Sequence, residues 1–283
     1  MAHSDFVVSS QGARSPRILY GTAWKKMRTE ELVRVAIERG FRGIDTACQP
    51  KHYQEAGVGA GVAACLNDKL RRSDLYLQTK FTPLSGQDPA QIPYDAGAPL
   101  AQQVAQSFRA SVLNLQTDYV DCLVLHSALP DQRQLMQVWG AMEQIFHAGG
   151  ARQLGISNCY SVALLQTLHQ AAAVKPAVLQ NRFYAETGYD RQIREFCRRH
   201  GIIYQSFWTL TANPQLLAHG AVTGPAGRYA RTPAQILFRY LTQSDIVPLT
   251  GTTSATHMRE DLEIFDFELS AAELTAVGAL INQ

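Results

Sequence analysis

Val120-Asp121-Cys122-Leu123-Val124-Leu125-His126 is a mostly apolar run closed by an imidazole. Beyond it, Leu135, Val138, Trp139, Met142, Ile145 and Phe146 recur at helical spacing and stop before Gly149. Gln153-Leu154-Gly155-Ile156-Ser157 is a second apolar run. The first and last stretches lack polar alternation, as parallel strands buried on both faces do. The middle stretch has one apolar face, as a helix packed on such a sheet does. The unit is strand, helix, strand.

The same unit extends in both directions. Candidate strands precede it at Arg17 to Thr22, Phe41 to Asp45 and Leu75 to Lys80. Others follow at Ala177 to Asn181, Ile202 to Phe207 and Ile246 to Thr250. Thr29, followed by Glu30 and Glu31, reads as the N-cap of a helix with Leu32, Val33, Ala36 and Ile37 on one face and Gly40 as its stop. Thr232-Pro233-Ala234-Gln235 and Ser270-Ala271-Ala272-Glu273 read as capping boxes, the first with proline at the first helical position. Eight strand-then-helix units in about 250 residues predict an α/β fold, a closed (β/α)8 TIM barrel, with an open doubly wound sheet as the alternative. Residues 1–283 form a single domain in this reading, with a polar segment at 1–16 and a C-terminal helix at 270–283. Two long connections, Thr82 to Pro99 and Thr209 to Ala226, follow strand C-termini, where barrel enzymes build their sites. They are candidate lids or cofactor clamps.

Composition narrows the function. Of 283 residues, 46% are hydrophobic and 18% charged, and the net charge of +2 is spread without a basic block or acidic tail. Nothing there favours nucleic acid or an anionic membrane as partner. No apolar run reaches the roughly 18 residues of a transmembrane helix, and Met1 to Pro16 lacks the apolar core of a secretory signal. Cys48, Cys65, Cys122, Cys159 and Cys197 are widely spaced and odd in number, which suits neither a disulfide framework nor a metal site. The expectation is a cytoplasmic protein without a metal, a monomer or weak homo-oligomer.

The informative polar residues are those at strand ends. Asp45, Lys80 and His126 close three consecutive candidate strands, each where the run had room to continue apolar. Any one of them alone reads as structural; the three at one end of a barrel read as a site. A glycosidase would need a facing pair of carboxylates there, and only Asp45 qualifies. Gly57-Val58-Gly59-Ala60-Gly61 departs from the dinucleotide-binding pattern and falls in a helix whose apolar face is Val58, Val62, Cys65 and Leu66.

Gly40-Phe41-Arg42-Gly43-Ile44-Asp45-Thr46-Ala47, followed by Tyr53-Gln54-Glu55 and Val58-Gly59, resembles the signature of the aldo-keto reductases. Gly155-Ile156-Ser157-Asn158, Thr232-Pro233-Ala234-Gln235 and Phe265-Asp266-Phe267-Glu268-Leu269 follow in that family's order, so the resemblance runs from Gly21 to Leu269. It implies NAD(P)H-dependent reduction of a small carbonyl substrate by a tetrad that Asp45, Tyr53, Lys80 and His126 supply. Carbonyl reduction needs a proton as well as a hydride, and a phenol with a reference pKa of about 10 needs a neighbouring cation to give it up. Lys80 would be that cation, Asp45 would keep it charged, and His126 would donate to the carbonyl oxygen. Tyr53 follows Asp45 by eight residues where the family usually has about five, because Cys48-Gln49-Pro50-Lys51-His52 lengthens the turn. Lys51 and His52 are the competing residues. A non-catalytic, cofactor-binding member of the family is the alternative function.

The resemblance also implies a cofactor site. Ser157, Asn158 and Gln180 would hold the carboxamide and Phe207 would stack on the nicotinamide, with Leu210 and Thr22 nearer the diphosphate. Where NADPH-preferring members place Lys-Ser and an Arg, this chain has Gly251-Thr252 and His257. NADP(H) is favoured from the family's habit and NAD(H) is possible. Where the family has Trp-Pro after the histidine, the chain has Ser127-Ala128-Leu129-Pro130, leaving Trp24, Phe81, Leu129 and Trp208 as candidate pocket walls.

Overall fold

The computed structural model describes residues 6–281. A short antiparallel hairpin, β1 (Phe6–Val8) and β2 (Arg14–Pro16), comes first. Parallel strands follow: β3 (Leu19–Gly21), β4 (Gly43–Asp45), β5 (Tyr76–Phe81), β6 (Cys122–Leu125), β7 (Leu154–Ser157), β8 (Val178–Arg182), β9 (Ile203–Phe207) and β10 (Ile246–Thr250). These eight pair with their neighbours in chain order, and β10 pairs with β3 to close the barrel. The fold is the (β/α)8 TIM barrel that the apolar runs predicted. Every candidate strand falls on a barrel strand: β10 matches residue for residue, β5 and β8 are shifted by one residue, and the others are shorter than expected.

Both strand faces are buried, for different reasons. Leu19, Tyr76, Cys122, Val124, Val178, Ile203 and Val247 fill the barrel interior, while a larger cluster packs strands against helices. Above the apolar interior lies an amide layer. Gln205 Oε1 accepts from Gln78 Nε2 at 2.8 Å and from Gln180 Nε2 at 2.9 Å. Buried amides are tolerated where they satisfy one another.

Helices α1 (Thr29–Arg39), α2 (Glu55–Ala63), α3 (Leu100–Leu115) and α4 (Gln132–His147) cover the first half of the barrel. Gly40 ends α1 at a positive φ, and α2 approaches α3 so closely that a Cβ on Gly59 would lie 2.1 Å from the Asn114 carbonyl. Both capping boxes form: Thr232 with Gln235, and Ser270 with Glu273 ahead of the helix Ala271–Ile281. Residues 282–283 of the expected terminal helix lie outside the described residues, as do residues 1–5.

Three local expectations are corrected. Thr29 is inside α1, and its hydroxyl donates back to the Lys26 carbonyl at 2.7 Å, because a single 3-10 turn runs directly into the helix. The described part of the polar N-terminal segment is the β1–β2 hairpin; Gln11 bonds Leu154 N–H and the Lys175 carbonyl, tying it to the N-terminal end of the barrel. The connection after β9 holds two helices, Pro214–Ala218 and Gly220–Tyr229. Among the described residues no helix is long and apolar enough to cross a membrane, and all five cysteines are buried and unbridged.

Candidate active site

Strand alternation decides which side chains reach the C-terminal mouth of the barrel. A cleft of about 840 Å³ opens there. Among its lining residues are Asp45, Tyr53, His126, Ser157, Asn158, Gln180, Arg182, Phe207 and Trp208. That volume falls in the ordinary range for small-molecule sites.

At its floor Lys80 and Asp45 form a buried ion pair. Lys80 Nζ donates to both Asp45 oxygens at 2.7 Å and to the Thr46 carbonyl at 2.8 Å. An ammonium has three protons, and these contacts use them. Asp45 Oδ1 also accepts from Gln78 at 2.7 Å and Gln180 at 3.0 Å. Removing either charge would strand the other without water, which costs about 3–5 kcal/mol.

Tyr53 stands beside this pair. Lys80 Nζ is 5.4 Å from the centre of its ring, and the His126 ring lies 5.9 Å away, edge to face. The longer turn after Asp45 therefore still returns the tyrosine to the lysine. Its acidity differs from the sequence expectation. Burial, and then the Asp45 charge, push the phenol above its ordinary range. Asp45 neutralises the lysine at close range, so desolvation wins. His126 is held well below its usual pKa by burial, then by Lys80 and His52, so the imidazole is neutral. Its Nδ1 lies 2.7 Å from the Thr82 hydroxyl. Of the competing residues, His52 lines the cleft but stacks on Trp24 with ring centres 3.8 Å apart, while Lys51 is exposed and away from it.

Ser157, Asn158 and Gln180 are gathered at the ends of β7 and β8. The Ser157 hydroxyl donates to the Gln180 carbonyl at 2.7 Å, and Asn158 Nδ2 donates to the His126 carbonyl at 2.8 Å. Asn158 has φ of 51°, and Trp24 and Trp208 on the rim are also left-handed, a conformation that costs non-glycine residues free energy. A carboxamide needs an acceptor for its N–H. Gln180 spends its Nε2 on Asp45 and Gln205 and lines the cleft, leaving Oε1 as that acceptor. With Phe207 beside it, this set fits a nicotinamide. Leu210, Gly251, Thr252 and His257 line the far end of the cleft with Glu260 and Asp261.

Three expected residues do not line the cleft. Thr22 is fully buried, its hydroxyl donating to the Asp45 carbonyl at 2.9 Å. Phe81 follows Lys80 and so faces the opposite way, toward the helices, where its ring meets Tyr94 at 5.6 Å. Leu129 is buried in the core outside the barrel. Trp24 and Trp208 are exposed and do line it.

Sequence reasoning missed Thr82, Lys25 and Arg182. Lys25 Nζ donates to the Gly251 carbonyl across the barrel closure, a contact that no local pattern announces. Arg182 lies two residues past Gln180 on β8, so strand alternation alone would have placed it at the mouth.

A model of the Aldo/keto reductase family matches residues 17–228. An aldo-keto reductase of Mycobacterium tuberculosis is 32% identical over 253 residues, covering 89% of this chain and 82% of that protein. Glyoxal reductase of Bacillus subtilis is 29% identical over 250 residues, covering 88% and 82%. The crystal structure of an aldo/keto reductase from Brucella melitensis superposes with a TM-score of 0.82 at 24% identity, covering 97% of this chain and 98% of that one. The chain belongs to the aldo/keto reductase family, oxidoreductases that act on carbonyl groups.

Proposed function

We propose that this protein reduces aldehydes or ketones to alcohols with Tyr53 as the proton donor and NADP(H) as the favoured cofactor, NAD(H) being the alternative. One observation carries the reading: the half-buried Tyr53 ring stands beside both the Asp45-anchored Lys80 and the His126 ring in one cleft. When bound, the reduced nicotinamide supplies hydride to the carbonyl carbon. Ser157, Asn158, Gln180 and Phe207 would hold it there.

The chain's own groups supply the rest. His126, uncharged, donates one hydrogen bond to the carbonyl oxygen and so both orients it and favours its developing negative charge. Tyr53 delivers its proton to that oxygen. Lys80 stabilises the phenolate left behind, and Asp45 holds Lys80 in place through both carboxylate oxygens. The raised pKa of Tyr53 keeps the phenol in its protonated, proton-carrying form through neutral pH, and the Lys80 charge beside it offsets part of the cost of giving that proton up.

The cofactor preference rests on Lys25. It places an ammonium on Gly251, where the family's lysine is missing, beside Thr252 and His257. Glu260 on the same wall opposes a 2′-phosphate, so the Lys25 contact is what tips the balance. Five buried free cysteines suit a reducing compartment, which supports a cytoplasmic location.

The test is direct: purified protein, NADPH or NADH, and a panel of aldehydes and ketones, with loss of the reduced nicotinamide followed by absorbance. Turnover with NADPH is expected. Tight cofactor binding with no carbonyl consumed would favour the non-catalytic reading instead.

A further inference from the structure

Arg182 closes β8 and lines the cleft. Val178 and Gln180, on the same face of that strand, lie inside the barrel, so alternation sends Arg182 to the mouth rather than to the helices. Its guanidinium carbon is 4.1 Å from the centre of the Trp208 ring and 5.3 Å from that of Tyr184. Its Nε is buried without a hydrogen-bond partner. Among the described residues it forms no ion pair. The other carboxylates and the other ammonium of the cleft are committed or distant: Asp45 is spent on Lys80, Lys25 donates to the Gly251 carbonyl, and Glu260 and Asp261 lie beyond β10.

A guanidinium whose carbon sits 4.1 Å over an indole meets the ring through its face, and its N–H edge matches a carboxylate or phosphate. We propose that Arg182 is the anion-binding residue of the cleft and that the preferred carbonyl substrates carry a carboxylate or phosphate. This rests on the reductase reading and adds the substrate class. The cofactor's diphosphate offers the same chemistry. Position favours the substrate: Lys25, Gly251, Thr252 and His257 mark the phosphate end at β3 and β10, whereas Arg182 on β8 is separated from β10 by Phe207's strand, β9.

The test compares wild type, Arg182→Gln and Arg182→Lys. Initial rates are measured with 4-carboxybenzaldehyde and its methyl ester, which share the aldehyde and differ in charge. Cofactor affinity is measured by fluorescence. Wild type should prefer the acid by at least about tenfold in kcat/KM, as a charge-assisted bond allows. Arg182→Gln should abolish that preference with cofactor affinity unchanged, and Arg182→Lys should keep part of it. Equal losses for both aldehydes with weaker cofactor binding would assign the anion to the diphosphate and overturn the proposal. Unchanged rates would reduce Arg182 to a stack on Trp208 and overturn it equally. Binding of 4-(hydroxymethyl)benzoate to the cofactor complex separates this proposal from the reductase reading. Arg182-dependent binding without turnover would sink the activity alone, and turnover without such binding would sink the anion site alone.

Discussion

The Thr82 hydroxyl lies 2.7 Å from Nδ1 of His126, and the Thr82 carbonyl is itself held by Tyr94 Oη at 2.7 Å and Gln87 Nε2 at 3.1 Å. A neutral imidazole has one donor nitrogen, and a hydroxyl donating to Nδ1 leaves the proton on Nε2. That is the tautomer a carbonyl oxygen requires, and variants at Thr82 test whether its hydroxyl selects it. Thr82→Val should lower kcat about tenfold with cofactor affinity unchanged, and Thr82→Ser should retain most activity. A fully active valine variant would remove Thr82 from the mechanism.

Tyr53→Phe keeps the ring and deletes the proton. It should cost about 10²–10⁴ in kcat, with little effect on cofactor binding. His52, packed on Trp24, should matter much less when changed to Ala. The reverse pattern, an active Tyr53→Phe and a crippled His52 variant, would mean that the acid has been misassigned.

The pH profile follows from two shifts of opposite sign. Tyr53 is raised by burial and then by Asp45, so it stays protonated as pH rises through its reference value of about 10. His126 is lowered by burial and then by Lys80, so it stays neutral as pH falls through its reference value of about 6.5. The reductive kcat should therefore be level from about pH 6.5 to 9, while oxidation of the alcohol should need alkali. A falling limb in the reductive profile near neutrality would contradict the assignment of Tyr53 as a buried acid.

Lys25→Gln should weaken NADPH about tenfold and NADH by much less, measured as dissociation constants. Gly251→Lys combined with His257→Arg should shift the ratio toward NADPH by at least about tenfold. A Cβ on Gly251 would sit 3.5 Å from Lys25 Nζ, so the new side chain has ordinary contact space at its root. Equal effects of Lys25→Gln on both cofactors would move Lys25 from the 2′-phosphate to the diphosphate.

Gly59→Ala is expected to destabilise the fold by about 1–3 kcal/mol, because its methyl group would force α2 away from the Asn114 carbonyl 2.1 Å away. Thermal unfolding of the variant at equal pH and buffer measures this. An unchanged melting temperature would show that the two helices separate freely.

The barrel was legible because parallel strands must be apolar on both faces, and runs such as Val120 to His126 admit few other placements. Asp45, Lys80 and His126 were legible for the converse reason, as polar groups closing apolar runs. Spacing could not say that Lys80 spends its protons on Asp45 and Thr46, because that depends on register between β4 and β5. Alternation was the legible signal at Phe81: one residue past Lys80, its side chain turns toward the helices and away from the cleft. Thr82 and Lys25 gain their roles from partners far along the chain, His126 and Gly251, which a single sequence does not pair.

The amide layer inside the barrel has a consequence for how the strands are staggered. Gln78, Gln180 and Gln205 come from β5, β8 and β9, and each completes a bond that another begins. Sliding any one strand by a residue would turn its amide toward the helices and leave unpaired oxygens in the barrel. An interior of aliphatic residues alone would tolerate several staggers with similar packing. The glutamines admit one, and Asp45, which accepts from two of them, and Lys80 and Arg182, which share their strands, hold their relative heights at the mouth because of it. The layer is a registry lock, set one level below the chemistry it aligns.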